Sequence, residues 1–201
     1  MNDPGFTGKE AMNFSPTTLP GVVLLDPKVF ADARGWFAER FRQDVFEAGL
    51  RALGLPVPAP FVQENHSCSR QGVLRGLHYQ LAPHAQGKLV SVAVGEIFDV
   101  TVDIRPDSPT FGRWQGVTLS AVNRRSLWIP AGYAHGFLSL SGPSEVHYKT
   151  TAYYSPAHER SLRWNDPFMG IVWPAEVSLL SERDERAPGL QEALASGQLD
   201  G

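Results

Sequence analysis

The chain has 201 residues, 42% of them apolar and 19% charged, with a formal net charge of -3. That length suits one domain with a sizeable core, and the charge balance supplies no basic field for nucleic acid or a membrane surface, although an anionic small substrate is compatible with it. Cys68 is the single cysteine, which excludes an intrachain disulfide; with no basic-then-apolar leader and no apolar run of membrane-spanning length, the expected location is the cytoplasm.

Residues 1–15 are polar and aperiodic and read as a flexible extension; residues 16–201 read as one domain with a C-terminal tail from about residue 186. Strand-like runs come at 22–25 and 37–41. The best helix candidate follows, opening on Asp44-x-x-Glu47 as a capping box, placing Phe46, Leu50 and Leu53 on one face and stopping at Gly54. A Pro-rich loop at 55–60 leads to strand-like runs at 61–67, 73–79 and 88–94. Gly95-Glu96 reads as a hairpin turn before 97–104, where Phe98, Val100, Val102 and Ile104 alternate with Asp99, Thr101 and Asp103 in the period of a half-buried strand. Further runs lie at 114–120, 126–129, 136–140 and 146–151. Many short strands, punctuated by 19 glycines and 16 prolines, argue for an antiparallel sandwich, jelly roll or barrel with one or two short peripheral helices. The interior of such a barrel is a natural ligand pocket.

The segment Gly72-Val-Leu-Arg-Gly-Leu-His78-Tyr-Gln80 puts a guanidinium and an imidazole on one strand. Arg75 and His78 are an odd step apart and would face opposite ways unless Gly76 bulges the strand between them. Other polar residues inside apolar runs are Gln63, Asn65, Lys88, His135 and Tyr148. Each has a plain structural alternative: a satisfied core histidine, a strand-capping lysine, a tyrosine whose hydroxyl reaches water. Cys68, between two serines, has no activating partner in sequence and is read as a packing residue.

Taken together, Asp32-Ala-Arg-Gly35, Gln63-Glu-Asn-His-Ser67, the Gly72–Gln80 segment, Gln86-Gly-Lys-Leu-Val90, Phe98-Asp-Val-Thr-Val-Asp-Ile-Arg105, Ser108-Pro-Thr-Phe-Gly112, the run from Trp128 to Phe137, Tyr148-Lys-Thr-Thr, Tyr153-Tyr-Ser-Pro156 and Trp164-Asn-Asp-Pro167 resemble the dTDP-4-dehydrorhamnose 3,5-epimerases of the cupin superfamily. The resemblance runs from about Leu19 to Asp184. It implies an all-β, cupin-type jelly-roll barrel and an epimerase that inverts C3 and C5 of a dTDP-linked 4-keto-6-deoxy hexose, with no metal and no redox cofactor. Both carbons flank the C4 ketone, so removing either proton makes an enolate, which calls for a base that titrates near neutral pH and cations near the oxygen. By family position His78 is the base, Asp184 its carboxylate partner, Tyr148 the acid on the opposite face and Lys88 the cation at the sugar oxygen. Arg34, Glu39, Gln63, Asn65, Arg75, His135 and Arg183 match substrate-binding positions.

The resemblance also implies a homodimer with strands exchanged across the interface, in which Arg34 serves the neighbouring site. Trp36 stands where a Phe is common, Arg183 where a lysine often precedes the family aspartate, and His147 where an apolar residue is common; strand alternation points His147 away from the pocket. Three alternatives stay open in sequence. One is an epimerase acting on a single carbon, another a sugar-nucleotide binding module without turnover. The third is a metal-dependent cupin that uses His78, His84 and His135 as ligands.

Overall fold

The computed structural model describes residues 12–199. In chain order the strands are β1 (Met12–Pro16), β2 (Val23–Pro27), β3 (Phe30–Asp32), β4 (Gly35–Phe37), β5 (Gln63–Ser69), β6 (Leu74–Gln80), β7 (Lys88–Val94), β8 (Glu96–Asp103), β9 (Trp114–Ser120), β10 (Ser126–Ile129), β11 (Tyr133–Ser139), β12 (Ser144–Thr150) and β13 (Glu159–Ser161). The helices are α1 (Gln43–Ala52), α2 (Glu182–Glu185) and α3 (Leu190–Ala195), one more than the sequence suggested.

One sheet has the order β1-β2-β10-β7-β12-β5 and the other β13-β6-β11-β8-β9; β3 and β4 form a separate hairpin. From β5 to β12 the chain passes repeatedly between the two large sheets, which is jelly-roll connectivity and the cupin-type barrel that the sequence resemblance implied. Gly95 therefore turns no hairpin: β7 and β8 on either side of it lie in different sheets, and its positive φ of 76° makes the corner between them. The expected strand over 37–41 forms only as β4, which ends at Phe37.

Both faces of both sheets carry apolar cover. Between the sheets, Val90, Val92, Leu127, Ile129 and Val146 from one meet Ile97, Leu119, Tyr133 and Phe137 from the other. Outside the six-stranded sheet, α1 lays Phe46 and Leu50 onto Val23, Leu25, Leu89 and Trp128. The capping box does not form, because α1 starts earlier than the sequence suggested: Arg42 is its N-cap without a side-chain bond, and Glu47 pairs instead with Gln43 and Arg51 along the helix.

Outside the five-stranded sheet, Leu77, Val100, Val102 and Ala134 pack against Leu162, Met169, Leu190, Ala193 and Leu199. The apolar side of β8 therefore turns outward under the C-terminal segment, and Asp99, Thr101 and Asp103 turn into the barrel, each with no exposed surface. Alternation found the two faces of β8, but it is not the half-solvated strand that the polar residues suggested.

Two boundaries also move. Residues 12–15 of the expected extension belong to β1, paired with β2 from Met12↔Pro27 to Pro16↔Val23; the remainder of that expectation lies outside the described residues. The expected tail includes α3, whose Leu190 and Ala193 are fully buried against β6 and β8. A fully buried leucine contributes about 2–3 kcal/mol through removal of apolar surface from water. Leu190→Ala is expected to destabilise the whole fold by about 2–5 kcal/mol in urea unfolding followed by tryptophan fluorescence. An unchanged midpoint would show α3 to be a loose appendage.

Candidate active site

A cavity of about 720 Å³ opens between the two sheets. The six-stranded sheet supplies Lys88 from β7, Tyr148 from β12, and Gln63, Asn65 and Ser67 from β5; the other supplies Arg75 and His78 from β6, His135 from β11 and Glu159 from β13. Arg183 and Asp184 of α2 complete the wall.

A local irregularity puts Arg75 and His78 on the same face. On β11, His135 and Phe137 are two residues apart, yet they stand opposite His78 and Arg75 of β6, which are three apart. The additional residue is the bulge anticipated from Gly76, whose φ is 125°. A Cβ there would lie 2.5 Å from Gly136 Cα and 2.9 Å from the His135 carbonyl oxygen, so only glycine fits both the dihedral and the space.

Asp184 comes to His78 from 106 residues further along the chain. The segment before it follows the start of β6, with Leu74 N–H donating to the Leu179 carbonyl and Ser178 N–H to that of Gly72. Ser181 then caps α2 by accepting from the Asp184 N–H at 3.2 Å. Asp184, 2% exposed, accepts from His78 Nε2 at 2.6 Å and from the Gly76 N–H at 3.4 Å. Burial by itself would raise its carboxyl, but the hydrogen bond and charge of His78, with Gly76 and Ser181, hold it below the usual carboxylate range. A carboxylate only accepts, so Nε2 carries the proton and Nδ1 is left as the basic nitrogen of a neutral His78 ring.

Lys88 reaches across from the facing sheet and donates to the His78 carbonyl at 3.0 Å. Burial pushes its ammonium down to about 8, against the attraction of Glu159 and Asp99. Burial also raises the Tyr148 phenol, with Glu159 adding to the rise and the Arg75 guanidinium opposing it. Arg75 is tied at the mouth to Ser69 Oγ at 3.0 Å and the Cys68 carbonyl at 3.1 Å.

Three contributors were not singled out in sequence. Asp99 accepts from His135 Nε2 at 2.8 Å, which makes a second His–Asp pair beside the first. At the rim, Glu159 accepts from the Tyr154 hydroxyl at 2.6 Å and from Arg183. Asp99 was legible as part of the polar face of its strand, and Tyr154 stood in a quoted motif; Glu159, in a three-residue strand, gave no periodic signal.

Arg34 and Glu39 do not reach this cavity within one chain. Arg34 sits at the tip of the β3–β4 hairpin, its side chain 90% exposed and paired with Asp32 at 2.6 Å. Glu39 lines a second concavity on the outer face of the six-stranded sheet, together with Arg40, Ser91, His147 and Lys149. His147 thus points away from the main cavity as alternation predicts, its ring stacked on His66 at 4.0 Å. Trp36 lies under the Arg124 guanidinium, 4.3 Å from the ring centre. His84 packs against His158 instead of joining His78 and His135, and among the described residues no group of three or more His, Cys, Asp or Glu is placed to hold a metal ion. Among the same residues no helix is long and apolar enough to cross a membrane.

The family described as dTDP-4-dehydrorhamnose 3,5-epimerase matches residues 16–192. A dTDP-4-dehydrorhamnose 3,5-epimerase of Shigella flexneri is 56% identical over 173 residues, covering 86% of this chain and 93% of the relative. Among solved structures, a dTDP-6-deoxy-D-glucose-3,5-epimerase of Legionella pneumophila in complex with dTDP-4-keto-L-rhamnose is 47% identical, with a TM-score of 0.83 over 90% of this chain and 93% of that one. A 3'-monoepimerase of Streptomyces bikiniensis in complex with dTDP-quinovose is 38% identical, with a TM-score of 0.84 over 92% and 91%. On its motifs, its jelly roll and these relationships, the chain belongs to the dTDP-4-dehydrorhamnose 3,5-epimerase family of isomerases.

Proposed function

We propose that the protein converts dTDP-4-dehydro-6-deoxyglucose into dTDP-4-dehydrorhamnose by inverting C3 and C5 through paired proton transfers. The observation that carries this reading is the placement of His78 and Tyr148 on facing sheets of one cavity. Inversion removes a proton from one face of the sugar and delivers another to the opposite face, so base and acid must stand on opposite sides of the ring.

His78 takes the proton on Nδ1, and the Asp184 carboxylate on its other nitrogen stabilises the imidazolium that forms. The electron pair of the broken C–H bond moves onto the C4 oxygen as an enolate, where the Lys88 ammonium offers a compact positive charge in a low-dielectric wall. Tyr148 then donates its phenolic proton to the same carbon from the other side. These steps move protons only. The 56% identity with a 3,5-epimerase favours inversion at both carbons over inversion at one.

Arg75 and Arg183 at the mouth suit the diphosphate, with arginine offering paired donors to phosphate oxygens. Gln63, Asn65 and His135 line the same wall as further polar contacts for substrate. Arg34 and Glu39 belong, on this reading, to the site of a second copy of the chain in a homodimer. In support, the β3–β4 hairpin holds Arg34, Trp36 and Phe37 largely exposed, and β5 leaves one edge of the six-stranded sheet open.

Incubation with the 4-keto-6-deoxyglucose nucleotide in heavy water, followed by NMR, is expected to place deuterium at C3 and C5. Deuterium at one carbon alone would make the protein a single-carbon epimerase, and at neither would remove the reading. In the same assay His78→Ala and Tyr148→Phe are each expected to lose at least about 10²-fold in turnover; wild-type rates in either variant would withdraw the assigned role.

Lys88 sets an alkaline limit. Its ammonium is lost as pH rises through about 8, well before the Tyr148 phenol titrates, so kcat/KM is expected to fall there. Lys88→Arg keeps its charge and moves that limit upward; a wild-type profile flat through this range would show that Lys88 does not act as a cation. Sedimentation is expected to give a dimer, and mixing His78→Ala with Arg34→Ala subunits to restore activity that neither has alone. A monomer, or mixing without restoration, would keep Arg34 out of the site.

A further inference from the structure

One row of polar side chains crosses all five strands of the β13-β6-β11-β8-β9 sheet. Ser161 stands opposite His78, His78 opposite His135, His135 opposite Thr101, and Thr101 opposite Gln115. Directly opposed residues on antiparallel strands share a face, here the inner one. The cavity uses His78 and His135. Beyond His135 the row continues through buried residues, with Thr101 at 0% and Gln115 at 8% exposure, and Asp99 at 0% one same-face step from Thr101.

Three atoms in this buried stretch have no hydrogen-bond partner among the described residues: Asp99 Oδ1, Thr101 Oγ1 and Gln115 Nε2. The other ends of two of these groups are engaged, Asp99 Oδ2 by His135 at 2.8 Å and Gln115 Oε1 by the Thr18 hydroxyl at 3.0 Å. A buried polar atom left unpaired costs about 1–3 kcal/mol. The three are chemically complementary to one kind of guest. Asp99 accepts, Gln115 donates, and the Thr101 hydroxyl between them does either. A cation would meet the amide N–H, and an anion the carboxylate; water satisfies all three and has the two to four polar partners that internal waters take.

We infer that an internal water bridges Asp99 Oδ1, Thr101 Oγ1 and Gln115 Nε2, and that this bridge makes the three side chains positioning residues for His135. The Asp99 carboxylate is held on one oxygen by His135; pinning the other oxygen stops its rotation and with it the tilt of the imidazole that faces the substrate. The catalytic consequence rests on the epimerase reading, whereas the water does not.

The test is a crystal structure of the protein at a resolution that shows ordered water, with steady-state kinetics on the 4-keto-6-deoxyglucose nucleotide. Wild type is expected to show a water within hydrogen-bond distance of Asp99 Oδ1 and Thr101 Oγ1. Thr101→Val, which removes the hydroxyl at nearly constant shape, is expected to lose that water, turn the His135 ring and lower kcat about tenfold with little change in KM. Thr101→Ser is expected to restore both water and kcat. If Thr101→Val folds poorly, Gln115→Met removes the donor instead and is read by the same two measurements. A dry site in wild type, a wild-type kcat in Thr101→Val, or no rescue by Thr101→Ser would overturn the inference. A wild-type protein that holds the water but does not epimerise the sugar would instead remove the proposed function.

Discussion

Gly76 packs its α-carbon against the backbone of Gly136 so closely that no side chain fits between the two strands. The rest of the site follows from that contact. The bulge it permits turns Arg75 and His78 to the same side of β6, and the Gly76 N–H points at the carboxylate that holds His78. A Cβ at this position would clash with fixed backbone instead of a flexible side chain. The neighbouring strand could not yield without moving His135 as well.

The two sheets divide the chemistry between them. One bears both imidazoles and Asp99, with Asp184 added from α2, and the other bears the phenol and the ammonium. Because each sheet is covered on its outer face by α1 or by the C-terminal segment, neither can tilt away from the other without exposing a second apolar layer. That rigidity matters for a reaction in which a planar enolate must be reprotonated from the face opposite the one that lost its proton. Lys88, bonded across the gap to the backbone of His78, links the two walls.

Burial sets the electrostatics. Lys88 loses hydration and is held as a weak cation, while Asp184 is kept ionised by the imidazole and backbone donor around it despite its own burial. At the mouth, where Arg183 and Tyr154 converge on Glu159, the groups remain partly solvated and adjustable.

The alternation of apolar and polar residues from Gln63 onward, with glycine and proline between the runs, was sufficient for an antiparallel barrel. The odd spacing of Arg75 and His78 around Gly76 was sufficient for a bulge. These are local properties, set by side-chain period and backbone sterics within a few residues. Which side of β8 faces the interior was not local. Phe98, Val100 and Val102 face outward only because a segment more than 60 residues later covers them, and this leaves Asp99 inside to partner His135. Read without the family motif, Asp184 is one charge among several in a polar stretch; its burial against His78 depends on the pairing of residues 178–179 with the chain at the start of β6. Sequence by itself therefore determined the antiparallel barrel, most of its strands, the candidate histidines and, through the family motif, Asp184, whereas only the tertiary structure decided the Asp99 partner of His135, the Gly95 corner and which face of β8 turns inward, because long-range packing determines which polar groups lose water together.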